Sequence, residues 1–301
     1  MLDMTRLLPG AVATMMLRKE GAEIIKVEQP GSGDYSRAMG GIFAATNAGK
    51  KSVTLNLKEA AGREAFFRLL ESADVVVESF RPGVMERLGL GWEQLSAHKA
   101  RVIFASLRGF PPQGPLAGMA GHDINYLAEA GILELLGGLP AVQIADICGG
   151  SLQLVQSILL ALLARRHTGK GSRVEVNMVD GLDPLLLLPR AYPGNPLDGQ
   201  CPCYRLYTAS DGRRIAVGAL EPKFWVSLCR ALGREDLIAA QFSPDAVPVM
   251  EEIFLARTAR AWCDYFREHD CCVTPVLPLS VSLPEHREPA PGLGEHNHLL
   301  R

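Results

Sequence analysis

Residues 52–78 read SVTLNLKEAAGREAFFRLLESADVVVE, and this stretch decides the fold class. Residues 52–57 and 74–78 are rich in valine and leucine and predict strands. Between them, residues 59–71 place apolar side chains on one helical face and charged ones on the other. A strand, a helix and a second strand in succession are typical of parallel strands joined by a helical crossover.

The same alternation continues through the first 190 residues. Further strands are predicted at 24–28, 101–107 and 173–178, and an apolar, buried helix is predicted at 151–165. The pattern predicts an α/β protein whose large domain has a mostly parallel sheet with helices on both faces.

A change in composition near residue 190 divides the chain. Residues 191–203 are rich in proline and glycine and predict a linker. Beyond it, the pattern predicts strands at 204–207 and 213–218 and helices at 221–232 and 250–269. We therefore expect a large domain at 1–190, the linker, a small α+β domain at 204–283 and a short C-terminal tail at 284–301.

Composition and charge exclude several classes of protein. Of the 301 residues, 48% are hydrophobic and 21% are charged, which is typical of a folded globular chain. The net charge of −2 offers no excess for binding nucleic acid, and the apolar runs 152–163 and 182–188 are shorter than the roughly 18 residues of a membrane helix. The seven cysteines, an odd number, predict free thiols and a cytoplasmic location.

The sequence gives only weak signals for a metal. Cys201 and Cys203 form a C-P-C motif with no second pair beside it, and His296 and His298 lie in a short polar tail. Such sparse donors fall short of a tetrahedral site, so no metal is expected.

Cationic side chains follow several predicted strands. They are Arg37, Lys50, Lys51, Lys58, Arg81 and Arg87. Open α/β sheets bind ligands at the carboxyl ends of their strands, where these cations could meet a polyphosphate. The accompanying loops match neither the Walker pattern nor G-x-G-x-x-G, so they do not favour a P-loop or dinucleotide site.

Two residues are candidates for acid–base chemistry. His122 follows a loop rich in glycine and proline and precedes a predicted helix, where the helix field favours a neutral imidazole. Asp146 ends an apolar run and precedes the buried helix, close to backbone N–H groups. From the pattern alone, a capping or core histidine and a capping aspartate remain equally open readings.

The ordered motifs resemble those of the family III CoA-transferase (CaiB/BaiF) superfamily, and within it the α-methylacyl-CoA racemases. They lie at 21–28, 49–58, 73–84, 121–128, 168–171, 217–222, 272–277 and 294–296. The resemblance implies a Rossmann-like large domain, a small domain and an interlocked homodimer. Each active site would lie between the large domain of one subunit and the small domain of the other.

The resemblance also implies roles for individual residues. His122 and Asp146 would exchange a proton with the carbon next to a thioester, and Glu221 of the partner subunit would orient the histidine. Backbone N–H groups at Asp146 and at the following helix start would hold the enolate oxygen. No cofactor is needed, because CoA is part of the acyl-CoA substrate. CoA contacts are expected at Arg37, Leu55, Asn56, Leu57, Lys58, Arg81, Arg87, Gly121, Asp123, Ile124, Asn125 and Tyr126.

The sequence departs from the family pattern at one expected CoA contact, and it leaves three functions to consider. Gln29 stands where racemases carry an arginine near the 3′-phosphate of CoA, so that contact is lost or passes to a neighbour such as Arg37. The leading function is epimerisation of 2-methylacyl-CoA thioesters through an enolate. One alternative is CoA transfer between carboxylic acids with Asp146 as nucleophile, and another is a CoA-binding protein without turnover. A role with nucleic acid or a membrane is not expected.

Overall fold

The structure, a computed structural model, describes residues 1–279 and 288–300. These residues form two compact units, one of residues 1–186 with the C-terminal residues 288–300 and the other of residues 187–279. The linker predicted at 191–203 lies within the second unit. The predicted boundary between small domain and tail, at 283 and 284, lies outside the described residues.

The described part of the first unit contains a six-stranded sheet in which every neighbouring pair is parallel. Its strands are β1 (Leu2–Met4), β2 (Ile25–Glu28), β3 (Lys51–Thr54), β4 (Val75–Glu78), β5 (Ile103–Arg108) and β6 (Ser172–Asn177). The predicted α/β fold class is confirmed, while the homodimer stays a prediction. The residue pattern missed β1, because three residues are too few to show a period.

Strand order places the ligand crevice of the first unit. The order is β3-β2-β1-β4-β5-β6, so the chain reverses direction across the sheet between β1 and β4. In open α/β sheets the crevice at such a reversal, outside the carboxyl ends of the strands, is where ligands bind. The residues that follow β1 and β4 are therefore expected to line a binding site.

Both faces of the sheet are buried, which explains the apolar run in β4. Val75 and Val77 pack into one hydrophobic core, and Val76 packs into the other. Phe104 of β5 shares the second core. Alternate side chains of each strand thus lie on opposite faces, and both faces are covered.

Helices cover the two faces of this sheet. They are α1 (Leu8–Lys19), α2 (Gly40–Asn47), α3 (Ala60–Ser72), α4 (Val84–Arg87), α5 (Trp92–His98), α6 (Asp123–Glu129), α7 (Ile132–Leu136), a π-helix (Ala145–Leu152) and α8 (Gln153–Thr168). Phe66 and Leu70 of α3 are fully buried beside Val76, as the amphipathic pattern of residues 59–71 predicts.

The most apolar helix is longer than the pattern predicts. Instead of residues 151–165, the π-helix and α8 form one continuous run, Ala145–Thr168. By length and composition this run could cross a membrane, which corrects the argument that no apolar stretch is long enough. One such helix is weak evidence, because a core helix passes the same test, and Leu154 and Ile158 are fully buried in the first unit.

The C-terminal residues cover the exposed edge of the sheet at β3. The amide of His296 donates to the carbonyl of Ser52 at 2.8 Å, and the amide of Thr54 donates to Oδ1 of Asn297 at 2.8 Å. An uncovered edge strand would present free backbone groups to other chains. This segment therefore satisfies β3 as a further strand would.

The second unit is a small α+β structure. Its described elements are α9 (Leu187–Ala191), β7 (Tyr204–Thr208), β8 (Arg214–Gly218), α10 (Pro222–Ala231), α11 (Val247–Phe254), α12 (Ala259–Phe266) and β9 (Val273–Pro275). The strands form an antiparallel sheet in the order β7-β8-β9. The single helix predicted at 250–269 is two helices, because Thr258 begins a new one by accepting a hydrogen bond from the amide of Ala261.

Candidate active site

His122 lies at the N-cap of α6, where its backbone is extended, with φ −128° and ψ 174°. Its amide donates to Oδ1 of Asn125 at 3.0 Å, and its carbonyl accepts from the amide of Asn125 at 2.8 Å. These two bonds fix the backbone of His122 at the helix start. The imidazole is exposed, as a group that meets a substrate must be.

Asp146 lies in the first turn of the π-helix, and glycines determine where that helix lies. A β-carbon at Gly149 would be 2.2 Å from the carbonyl oxygen of Met178, and one at Gly181 would be 2.1 Å from the carbonyl oxygen of Gly149. The helix therefore packs directly on the turn after β6. Oγ of Ser151 adds a hydrogen bond of 2.7 Å to the carbonyl of Pro9 in α1.

A hydrogen bond joins these two segments. The amide of Asp146 donates to Oδ1 of Asp123 at 2.8 Å. The expectation that the Asp146 amide holds an enolate oxygen is therefore corrected, because Asp123 already occupies that donor. The following amides, Ile147 and Cys148, are also in the first turn, where helical N–H groups lack a partner within the helix.

Burial and charge both act on Asp146. Burial raises the pKa of its carboxyl to about 6, the negative charge of Asp123 adds to the rise, and His122 opposes it. An aspartate ordinarily titrates near 3.9. Asp146 therefore holds a proton much closer to neutral pH than an exposed aspartate does. These interactions bring His122, Asp123 and Asp146 into one electrostatic site.

Tyr126 packs beside this site and fixes the loop before His122. Its hydroxyl donates to the carbonyl of Gly121 at 2.6 Å, and its ring packs edge-on against Phe110 with centroids 5.1 Å apart. Burial and the charges of Asp146 and Asp123 raise the pKa of Tyr126 to about 12, so it stays neutral. The Tyr126 side chain is buried, and its expected contact with pantetheine stays a prediction. Of the other expected contacts near His122, Ile124 and Asn125 are exposed.

A cavity of about 640 Å³ opens at the carboxyl ends of β1 to β4. Residues that were expected to contact CoA line it, namely Leu55, Asn56, Leu57, Lys58 and Arg81. Lys58 and Arg81 in its lining are exposed cations. The cavity thus lies at the reversal in strand order and carries the positive charge that a polyphosphate requires.

Arg6 is a cavity residue that the sequence reasoning missed. It follows β1, and its guanidinium donates to the hydroxyl of Tyr35 at 3.1 Å and to Oε1 of Gln29 at 3.2 Å. The same group lies 5.1 Å from the ring centroids of Tyr35 and Phe80. Among residues 1–279 and 288–300, no carboxylate pairs with it, so its charge is available to a ligand.

Arg37 and Arg87 do not line the cavity. The guanidinium of Arg37 makes two hydrogen bonds to the Glu28 carboxylate, at 2.8 and 2.6 Å, and lies 4.1 Å from the ring centroid of Phe43. The expectation that Arg37 replaces a lost arginine at position 29 is therefore corrected. Gln29 instead accepts a hydrogen bond from Arg6.

Glu221 lies in the second unit, at the N-cap of α10. The preceding loop is anchored by Gln241, whose amide donates to the carbonyls of Ala219 and Leu220 at 3.1 and 2.7 Å. The Glu221 side chain is exposed. Its pairing with a histidine of another subunit stays a prediction.

Comparison with known proteins places this site in context. Residues 1–288 match the CoA-transferase family III. Human α-methylacyl-CoA racemase is 39% identical over 297 residues, which cover 91% of this chain and 76% of the human protein. The succinyl-CoA:mesaconate CoA-transferase of Haloarcula marismortui is 36% identical over 278 residues, or 81% of this chain and 68% of that protein. A crystal structure of Rv3272 from Mycobacterium tuberculosis is similar with a TM-score of 0.85 at 28% identity, covering 99% of this chain and 96% of that one.

Proposed function

The chain belongs to the CoA-transferase family III, and on that premise we propose that it epimerises 2-methylacyl-CoA thioesters by exchanging the proton on the carbon next to the thioester. The family contains both racemases and transferases, so membership alone does not choose between them. The observation that carries the choice is the electrostatic site shared by His122 and Asp146. A transferase needs only the aspartate as nucleophile, whereas inversion needs two proton-transferring groups.

The proposed reaction moves one proton off the carbon and another one on. One of the two side chains removes the proton from one face of the α-carbon, and the electron pair moves onto the thioester oxygen to give an enolate. The other side chain then donates its proton to the opposite face, which inverts the centre. His122 and Asp146 exchange the roles of base and acid for the two epimers, and no electron or further group is transferred.

The cavity is suited to bind the phosphates of the substrate. Arg6, Lys58 and Arg81 surround a space at the switch in strand order, and each can make charge-assisted hydrogen bonds to a phosphate. We assign this cavity to the nucleotide end of an acyl-CoA. Binding energy there would hold the thioester in place while the proton moves.

Proton exchange measured by NMR in deuterium oxide tests the proposal. The wild-type protein should replace the α-proton of a 2-methylacyl-CoA with deuterium and interconvert its epimers. His122→Ala and Asp146→Ala should each slow exchange by about 100-fold or more, the usual contribution of one general acid or base. A wild-type protein that binds the thioester but exchanges no α-proton would overturn the proposal.

CoA transfer is the second candidate, favoured by the transferase relative and by the position of Asp146. Its partly buried carboxyl, at the start of a helix, could attack a thioester and form a mixed anhydride, with CoA as the leaving thiolate. Hydroxylamine would trap that acyl group on Asp146. Trapping with transfer to an acceptor acid, unaffected by His122→Ala, would establish transfer, whereas binding without either reaction would leave a CoA-binding protein.

A further inference from the structure

Asp123 is linked to both proposed proton-transferring groups. It is the first residue of α6 and the direct neighbour of His122, and Oδ1 of its carboxylate accepts the amide of Asp146 at 2.8 Å. This bond connects segments that are 23 residues apart in the chain. It therefore sets the distance between the backbone of His122 and the start of the π-helix.

The groups around Asp146 come from both packed elements. From α6 and its N-cap they are Asp123, His122 and Tyr126, and the helix that carries Asp146 also carries the free thiol of Cys148. Tyr126 is neutral, because its pKa is raised to about 12. Asp123 is thus the negative neighbour of Asp146, and His122 is the group that acts against it.

We infer that Asp123 is the positioning residue of Asp146: its carboxylate holds the Asp146 amide and places a negative charge beside the Asp146 carboxyl. This inference rests on the proposed function, because it explains how Asp146 can serve as acid as well as base. An ordinary aspartate would give up its proton about two and a half pH units below an ordinary imidazole. Burial and the negative charge of Asp123 raise the pKa of Asp146 to about 6, which brings it closer to the ordinary range of an imidazole.

This role of Asp123 differs from the CoA contact that the resemblance implies. That residue was expected to contact CoA, but one carboxylate oxygen is used by the Asp146 amide. Its position at the first turn of α6 is compatible with a purely structural role as a helix-start acid, so the test must separate charge from hydrogen bonding.

Asp123→Asn separates them, because the amide oxygen still accepts the hydrogen bond while the charge is lost. The titration of Asp146 is followed by NMR in protein labelled with ¹³C at the aspartate carboxyl, and Asp146→Asn identifies its resonance. In Asp123→Asn the titration should move to lower pH, on the order of one unit. The acid limb of the pH profile for α-proton exchange should move in the same direction. Asp123→Ala should in addition lose the bond that places the π-helix, and so lose exchange at every pH.

Glu129→Gln is the matched control, because it removes an exposed carboxylate from the other end of α6. It should leave both the titration and the profile in place. An Asp146 titration in Asp123→Asn that is unmoved, or that moves to higher pH, would overturn the inference. The NMR titration does not depend on turnover. A shifted titration in a protein that exchanges no α-proton would therefore support the link between Asp123 and Asp146 while the proposed function fails.

Discussion

Gly149 lies so close to Met178 that a β-carbon at position 149 would be 2.2 Å from the Met178 carbonyl oxygen. Real contacts are not this short, so a side chain here must push the π-helix away from the turn after β6. Asp146 is in the same helix, three residues earlier. The position of Asp146 therefore depends on the packing of a buried glycine in its helix.

Gly149→Ala should consequently slow α-proton exchange by about 100-fold while CoA binding at the cavity is retained, since about 1 Å of misplacement has an effect of that order. Exchange is measured by NMR and binding by calorimetry. Gly138→Ala is the control, because a β-carbon at Gly138 meets nothing within 4 Å. Full exchange by Gly149→Ala would show that the packing does not place Asp146.

Arg6 and Arg87 give opposite predictions for CoA binding. Arg6 lines the cavity and is oriented by Gln29 and Tyr35, whereas Arg87 is exposed outside it. Arg6→Ala should weaken CoA binding about 10- to 100-fold, because a hydrogen bond to a charged group contributes about 1.5–3 kcal/mol. Arg87→Ala should leave the dissociation constant within about twofold. Calorimetric titration with CoA measures both dissociation constants. If Arg87→Ala weakened binding more than Arg6→Ala, Arg87 would be the phosphate-binding residue, as the sequence predicts.

β2, β4 and β5 are buried on both faces, so their apolar runs carry a strong pattern. The sequence predicted β2 to β6 within one to three residues and missed the three-residue β1. It could not predict which cations face the cavity. Arg37 follows β2 as Lys58 follows β3, yet Arg37 is bound to Glu28, and Lys50, just before β3, is buried. Pairing of this kind depends on contacts between distant segments, which spacing along the chain does not contain.

The site shows the same limit. The motif around His122 and the apolar run before Asp146 indicated these two residues as candidates for acid–base chemistry. No sequence pattern predicts that Asp123 accepts a hydrogen bond from the Asp146 amide. The π-helix was likewise missed, because one added residue per turn leaves no periodicity over eight residues. A signal existed in Gly149 and Gly150, since paired glycines in a helix indicate close packing.

Lys50 is expected to matter for stability rather than for phosphate binding. Its ammonium is buried and donates to Thr14 at 2.7 Å, to Asn47 at 3.0 Å and to the carboxylate of Asp3 at 3.3 Å. Lys50→Met removes a cation from a buried ion pair and should lower the free energy of unfolding by about 3–5 kcal/mol. Urea denaturation measures this.

Lys51→Met is the matched control for that change. Lys51 is the next residue, and its ion pair with Glu23 is at the surface, with side chains 36% and 66% exposed. Exposed pairs contribute at most about 1 kcal/mol. Equal losses for Lys50→Met and Lys51→Met would contradict the buried network.

Asp146 should leave a signature in the pH dependence of stability. Between pH 3.8 and about 6 the folded protein holds a proton that the unfolded chain has released. The contribution of this group to the free energy of unfolding therefore falls as the pH rises through that window. Asp146→Asn cannot titrate, so its stability relative to wild type should increase from pH 4 to pH 6 and then level off. Denaturation at four pH values checks this, and a constant difference would show that the carboxyl titrates normally.

The predicted homodimer can be tested on α8. Leu159, Leu160 and Leu163 are 51%, 57% and 53% exposed on the helix that passes the membrane test. Clustered exposed leucines on a folded unit indicate a surface that another molecule covers. If a second copy of the chain covers it, wild-type protein should sediment as a dimer. Leu159→Glu with Leu163→Glu should then weaken the dimer by at least tenfold, because charges on that face would be buried without partners. A wild-type protein that sediments as a monomer and floats with lipid vesicles would instead assign this face to a membrane.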